Sequence, residues 1–245
     1  MEELKEIYES ETYWQVEYFK HQEVGDKGNG PLKYYENALE ELEKVAPGRG
    51  ELLDVGCAMG VFLNLARRRG WRPTGVDPSR IAAQRAKEWF GLSVTVGELE
   101  KLQFPSTHFD VVTLWDVLEH LRDPVAYLQE IWRILKEEGL LLIQTINVDN
   151  LLYQMGYWSY RLSFGGFRSP IARLYPSYHL HYFTEQVLYR LLKENGFQCI
   201  LYLPKEYPIE RIGISGWTRL GVQLIYFIQS FSNRKVNQLV IARKV

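Results

Sequence analysis

The sequence predicts an α/β protein built on a seven-stranded, mostly parallel sheet with helices on both faces. Three observations lead to this prediction. Short apolar strands alternate with helical segments from residue 52 onward, which is typical of parallel strands joined by crossover helices. A glycine-rich turn, 56–60, joins the first strand to its helix. Two late strands, 197–203 and 236–242, complete the sheet, and we expect the C-terminal one to be antiparallel.

The elements follow in a regular order along the chain. The five strands of the alternating part are expected at 52–55, 74–77, 92–96, 109–115 and 140–146. Helices are expected at 2–22, 32–46, from the glycine turn to Arg69, 81–90, 124–136, 185–195 and 216–231. The segment 25–31, which is rich in glycine, separates the first two helices. Thr184 is expected to cap the helix that follows it.

The composition is that of an ordinary globular protein. The chain has 245 residues, of which 46% are apolar and 24% charged, so neither a disordered nor a fibrous protein is expected. Its two cysteines, Cys57 and Cys199, exclude a disulfide framework and indicate a reducing compartment. The acidic N-terminus does not resemble a signal peptide, and the apolar stretch near residues 221–231 is too short to span a bilayer. The sequence therefore predicts a cytoplasmic protein.

Charge is distributed unevenly between the two parts of the chain. Residues 151–245 contain 12 basic and 4 acidic residues, which leaves 17 basic and 26 acidic residues for 1–150. The difference is either uneven surface charge or the mark of a C-terminal part that faces an anionic substrate or a membrane surface. A peripheral membrane contact is thus left open, as are the oligomeric state and the role of helix 216–231.

Aromatic residues are concentrated after the fifth strand. The segment 151–183 holds ten of them: Tyr153, Tyr157, Trp158, Tyr160, Phe164, Phe167, Tyr175, Tyr178, Tyr182 and Phe183. No acidic residue occurs between Asn150 and Thr184, whereas Arg161, Arg168 and Arg173 do. Long connections at the ligand face of an α/β sheet tend to be functional. We expect the insertion 148–183 to roof an acceptor pocket for neutral aromatic or anionic molecules.

The glycine turn is the strongest local signal. In DVGCAMG, the first strand ends near Asp54, and Gly56, Ala58 and Gly60 precede a helix. Such a turn lets a ligand approach the backbone. A dinucleotide site requires G-x-G-x-x-G, and here the last glycine comes one position too early. A carboxylate two residues before the first glycine suits a cationic ligand better than a pyrophosphate.

The segment DVGCAMG resembles the cofactor motif (D/E)-x-G-x-G-x-G of the class I S-adenosylmethionine-dependent methyltransferases, with Ala58 in place of the middle glycine. GVDPS and the strand-loop segment 109–124 resemble later motifs of the same family. The resemblance implies a Rossmann-like fold with S-adenosylmethionine as cofactor. The cofactor contacts it implies are Asp54, Gly56, Cys57, Ala58, Gly60, Asp77, Pro78, Glu98, Leu99 and Trp115. We also expect the chain to divide into an N-terminal helical lid, 1–47, and a methyltransferase domain, 48–245.

Acidic residues and a histidine follow the fourth strand. Asp116, Glu119 and His120 form D-x-x-E-H, which resembles the E-x-x-E-H of ubiquinone-biosynthesis O-methyltransferases. His120 and Asp116 are the candidate catalytic residues, His120 as a general base or substrate orienter, because histidine titrates near neutral pH. Structural roles for both remain open. The resemblance to the ubiquinone-biosynthesis enzymes allows a divalent ion that assists the acceptor. His179 and His181 lack a third ligand, so no metal site is predicted.

We expect an S-adenosylmethionine-dependent methyltransferase that acts on a small or lipid-linked acceptor, with O-methylation favoured. One alternative is a nucleic-acid methyltransferase, which the basic C-terminal part allows but for which no N-P-P-Y or D-P-P-Y motif is present. A second alternative is a non-catalytic protein that binds the cofactor. An intact glycine turn and Asp77 disfavour a scaffold, and no nucleic-acid partner is expected.

Overall fold

One seven-stranded sheet organises the described part of the chain. In this computed structural model, that part comprises residues 31–166, 175, 178–206, 216–229 and 234–245. The strands are β1 (Glu51–Val55), β2 (Arg72–Asp77), β3 (Val94–Val96), β4 (Phe109–Trp115), β5 (Leu135–Ile146), β6 (Phe197–Lys205) and β7 (Asn237–Lys244). Their order across the sheet is β3-β2-β1-β4-β5-β7-β6. Only β7 runs antiparallel to its neighbours, β5 and β6, which confirms the predicted Rossmann-like sheet.

Seven helices surround the sheet in the described residues. They are α1 (Pro31–Val45), α2 (Val61–Arg68), α3 (Arg80–Phe90), α4 (Pro124–Ile134), α5 (Leu151–Leu162), α6 (Glu185–Glu194) and α7 (Gly216–Gln229). Several begin at a side chain that accepts a backbone N–H three residues on. Ser79, Asp123 and Thr184 do so for α3, α4 and α6, and the predicted cap at Thr184 is confirmed.

The two faces of the sheet carry separate apolar cores. On one face, Leu128 and Ile131 of α4 pack with Leu188 of α6 against the central strands. On the other face, α1 and α2 cover the strands through Leu39 and Phe62, among others. Helices therefore lie on both faces, as predicted, and the carboxyl ends of β1, β2 and β4 emerge between the two layers.

Most predicted boundaries agree with the structure within two residues, and two larger differences stand out. β5 begins at Leu135, five residues before the predicted start, because Leu135 pairs with Phe109 upstream of a register shift. Helix α5 was not predicted at all. Its aromatic sequence shows no clear helical period, but the Asn150 side chain accepts the Tyr153 N–H and starts the helix.

The predicted helix 2–22 lies outside the described residues, so the lid proposed for 1–47 is represented by α1 alone. None of the described helices is both long and apolar enough to cross a membrane.

Candidate active site

The predicted site residues converge at one edge of the sheet. β1 lies between β2 and β4, and Asp54 is paired with Gly75 on one side and Thr113 on the other. Trp115, at the end of β4, is paired with Gln144 of β5. Parallel strands bring their carboxyl ends to the same edge, where ligands of open α/β sheets bind.

The glycine turn is held in a conformation that favours glycine. Gly56, Ala58 and Gly60 all have positive φ, at 73°, 48° and 77°. A Cβ added to Gly56 would lie 2.5 Å from Cγ2 of Val117, so the turn lies directly against the segment after β4. Ala58 adopts this conformation despite its methyl group, at a cost of roughly 1 kcal/mol. The turn therefore exposes backbone where a ligand can approach closely.

Asp77 fixes the position of this turn. Its two carboxylate oxygens accept the N–H groups of Ala58 and Ser79, each at 2.8 Å. Burial raises the pKa of Asp77 to about 6, although these two hydrogen bonds oppose the shift. The sequence predicts a cofactor contact for Asp77, and the structure adds that Asp77 braces the turn from the end of β2.

Asp54 is a buried carboxyl without a cationic partner among the described residues. It is 1% exposed, and the Thr113 hydroxyl donates to its Oδ1 at 2.6 Å. Burial raises the pKa of Asp54 to about 8, with the nearby Asp77 acting in the same direction. A cation bound beside it would restore the charged form. This environment fits the sulfonium and ammonium groups of S-adenosylmethionine.

An aromatic cluster covers the end of β4. The ring of Trp115 lies 4.8 Å from that of Tyr35 and 4.9 Å from that of Phe62, with Tyr34 beside them. The Trp115 Nε1 is buried and makes no hydrogen bond. Tyr34 and Tyr35, which the sequence analysis missed, bring α1 to the site. Burial, Asp116 and Asp54 all raise the pKa of Tyr35, so the three side chains are within electrostatic reach.

The other predicted cofactor contacts have different placements. Glu98 forms an ion pair with Lys101 at 2.7 Å, and Pro78 is exposed. The Leu99 side chain lies in the core and its N–H donates to the Tyr127 hydroxyl at 3.3 Å. Cys57 is also buried in the core, and its N–H donates to the carbonyl of Val76. Their cofactor contacts stay predictions.

Asp116 begins the segment that leaves β4. It has a positive φ of 54°, and its Oδ1 accepts a hydrogen bond from Gln144 Nε2 at 2.7 Å. The Asp116 N–H donates to the Gln144 carbonyl at 3.1 Å. Burial raises the pKa of Asp116. Gln144 therefore orients this carboxyl, and no sequence pattern indicates this partner on β5.

His120 presents one ring nitrogen as a base. Its Nδ1 lies 3.0 Å from the carbonyl oxygen of Tyr178, so Nδ1 carries the proton and donates it. The lone pair is then on Nε2. Burial lowers the pKa of His120, which keeps the ring neutral at pH 7. The rings of Tyr178 and His179 lie beside it, with centroids at 5.8 Å and 4.8 Å.

Hydrogen bonds to Glu119 hold the end of the aromatic insertion against the segment after β4. Its carbonyl accepts the N–H groups of Leu180 and His181 at 2.8 and 3.1 Å. Its Oε2 accepts the Thr145 hydroxyl at 2.9 Å, and burial together with Asp116 raises its pKa. The sequence analysis included Glu119 in a motif but assigned it no role.

Glu119, His120 and His179 could hold a divalent cation. One ligand atom from each lies within 4.8 Å of the others. Glu119 Oε1 and His179 Nδ1 are buried without a hydrogen-bond partner, which fits such an ion. The structure thus joins His179 to Glu119 and His120, and not to His181 as the H-x-H pattern suggested. An ion here would lower the pKa of an acceptor hydroxyl, but it would need the same His120 Nε2 that a proton transfer needs.

The comparisons with known proteins decide the family. Residues 31–202 match a family model described as a methyltransferase domain, which is more than half of the chain. The chain belongs to this family. Its members are S-adenosylmethionine-dependent methyltransferases of class I, so S-adenosylmethionine is the cofactor. The glycine turn with Asp54 and Asp77 stays the predicted place for it.

Two curated relatives are ubiquinone biosynthesis O-methyltransferases. That of Histophilus somni (strain 2336) is 34% identical over 122 residues, covering 44% of this chain and 51% of the relative. The mitochondrial enzyme of Schizosaccharomyces pombe is 29% identical over 199 residues, covering 74% and 68%. The chain thus spans about half the length of the first of these relatives.

Solved structures show the same fold at low sequence identity. A SAM-dependent methyltransferase from Archaeoglobus fulgidus superposes with a TM-score of 0.60 and 19% identity, covering 93% of this chain and 100% of the other. An S-adenosylmethionine-dependent methyltransferase from Mesorhizobium loti gives 0.59 and 17%, covering 84% and 96%. These likenesses support the methyltransferase fold alone.

Proposed function

We propose that the protein is an O-methyltransferase that uses S-adenosylmethionine to methylate a small or lipid-linked acceptor. The observation that carries this proposal is the neutral His120, whose Nε2 lone pair lies at the same strand edge as the buried Asp54. S-adenosylmethionine supplies an activated methyl group on a sulfonium. The names of the curated relatives support oxygen as the methylated atom.

In this proposal, each residue at the strand edge has a separate role in the reaction. Asp54 and the glycine turn bind and orient the cationic end of the cofactor, and Asp77 keeps the turn in place. His120 Nε2 takes the proton from an acceptor hydroxyl, and the Tyr178 carbonyl holds the ring in the required tautomer. Asp116, oriented by Gln144, is the proposed acceptor orienter. Holding the reacting groups about 3 Å apart supplies much of the rate enhancement.

The composition and placement of the insertion 148–183 support an acceptor that is either an uncharged aromatic molecule or an anion. Its last residues, 178–183, lie over the end of β4 through the bonds to the Glu119 carbonyl and the His120 contact. Arg161 is exposed on α5, where its guanidinium donates to the Tyr157 hydroxyl at 2.8 Å. We propose that 148–183 forms the acceptor cap, in a cytoplasmic protein whose Cys57 and Cys199 are both free thiols.

The test compares two histidines at opposite ends of β4. His120→Ala should lower methyl transfer to phenolic acceptors by about 10²–10⁴ and leave cofactor affinity nearly unchanged. His108→Ala is the matched control, since His108 precedes β4 and packs on Phe109. Equal loss in both variants, or transfer to amines only, would refute the proposal.

Chelation separates proton transfer from metal assistance. With His120 as the base, we expect turnover to persist in excess chelator. Loss of turnover that a divalent ion restores, with cofactor affinity unchanged, would assign Glu119, His120 and His179 to a metal instead.

A further inference from the structure

Two neighbouring helices carry apolar side chains on the face opposite to the one they bury. Helices α5 and α7 contact each other, and both bury a tyrosine, Tyr153 and Tyr226, in the same small cluster with Val236. A surface helix normally presents polar residues on its outer face. The outer faces here present instead Met155, Trp158 and Leu162 of α5, Phe164 in the turn after it, and Leu220, Leu224, Phe227 and Ile228 of α7. We call this set the apolar surface.

The spacing of these residues makes two continuous stripes. On α7 they occur at i, i+4, i+7 and i+8, and on α5 at i, i+3 and i+7, so each stripe spans no more than about one quarter of the helix circumference. Leu162 is 74% exposed and Phe164 is fully exposed, while Leu224 and Phe227 are 60% and 63% exposed. Neighbouring exposed apolar side chains on two adjacent helices are typical of an interaction site.

Charge identifies the kind of partner. Helices α5 and α7 hold one arginine each and no acidic residue. These arginines, Arg161 and Arg219, are exposed. Two copies of this surface would bring arginines together without a carboxylate on either helix to pair with them. Trp158 and the aliphatic residues beside basic side chains are instead the composition of helices that lie in a membrane interface.

We infer that the apolar surface docks onto an anionic lipid bilayer. Both helices would lie flat, with the apolar side chains among the acyl chains and the arginines at the headgroups. The consequence of this docking for the acceptor rests on the proposed function. The rings of Tyr153, Tyr175 and Tyr182 form a continuous contact, at 5.0 and 5.1 Å, from α5 to the segment above His120. Docking through α5 would therefore hold the segment above His120 near the bilayer, where a lipid-linked acceptor resides.

The test is co-sedimentation of the full chain with phosphatidylcholine vesicles, with and without phosphatidylglycerol. We expect binding to the anionic vesicles, and about a tenfold or greater loss of partitioning in Leu162→Glu/Leu224→Glu. The matched control is Val125→Glu/Val187→Glu, which places the same charges at exposed valines of α4 and α6 and should change partitioning less than twofold. Arg161→Gln should weaken binding about fivefold on anionic vesicles only.

Three outcomes would overturn the inference. One is no binding by the full chain, and another is binding that both glutamate pairs reduce equally. The third is a dimer, in sedimentation velocity, that Leu162→Glu/Leu224→Glu dissociates, since the surface would then bind a second copy. Calorimetry with S-adenosylmethionine on the same variants shows whether each is folded. A chain that binds vesicles but not the cofactor would refute the proposed function and leave the docking surface intact.

Discussion

Replacing Asp54 by asparagine removes a buried carboxyl while keeping its shape and an oxygen for the Thr113 hydroxyl. In the folded chain the pKa of Asp54 is raised to about 8 from an ordinary value of 3.8. The folded state therefore retains a proton that the unfolded state releases between these two values. Because the folded state binds more protons in this window, its stability falls as the pH rises from about 4 to about 8.

The size of the effect follows from the same shift. Each pH unit between about 5 and 7 costs the wild-type chain about 1.4 kcal/mol of unfolding free energy through this group, or about 3 kcal/mol in all. Asp54→Asn lacks this contribution. Without bound cofactor, the unfolding free energy of Asp54→Asn relative to that of the wild type should therefore increase by about 3 kcal/mol between pH 5 and pH 7.

Urea denaturation at pH 5, 6 and 7 measures the difference between the two slopes. Asp77→Asn is the matched comparison, because the pKa of Asp77 is raised only to about 6. Below pH 6, the unfolding free energy of Asp77→Asn should fall less steeply with rising pH than that of the wild type. Between pH 6 and pH 7, the two should have the same slope. Parallel curves for Asp54→Asn and wild type across the whole range would refute the assignment of a protonated Asp54.

Three further substitutions test the cofactor site. Gly56→Ala should destabilise the chain by about 3 kcal/mol in urea denaturation and remove measurable cofactor binding, because the new methyl would meet Val117 at 2.5 Å. Ala58→Gly should raise the unfolding free energy by about 0.5–1 kcal/mol, since glycine relieves the positive φ; a loss of stability would argue against that conformation. Asp77→Ala should weaken S-adenosylmethionine binding at least about tenfold in calorimetry, because the bond to the turn and the predicted cofactor contact are both lost, and unchanged affinity would remove Asp77 from the site.

The glycine turn shows why the cofactor site could be predicted from the sequence. Its residues are contiguous, and the strand before it and the helix after it have clear apolar patterns. Asp54, Gly56 and Gly60 therefore fall where the motif places them. The bonds of Asp77 to Ala58 and Ser79 could not be read from the sequence, because they depend on the path of the chain between two strands.

The acceptor side was harder to predict. Its residues come from distant parts of the chain, and Glu119 and His179 meet only because the insertion folds back onto the end of β4. Helix α5 was missed because its apolar residues lie on both faces, which hides the helical period. The same property makes the apolar surface visible once the structure shows which face is buried.

Calorimetric titration of the full chain with S-adenosylmethionine, S-adenosylhomocysteine and NAD tests the central claim most directly. We expect S-adenosylmethionine and S-adenosylhomocysteine to bind in the micromolar range and NAD to produce no heat of binding. Gly56→Ala should abolish the heat of S-adenosylmethionine binding. Below pH 8, binding of the cationic cofactor should also release a proton from Asp54, so the heat should vary with the ionisation enthalpy of the buffer. Binding of NAD in preference to S-adenosylmethionine would contradict the account, as would a cofactor affinity that Gly56→Ala leaves unchanged.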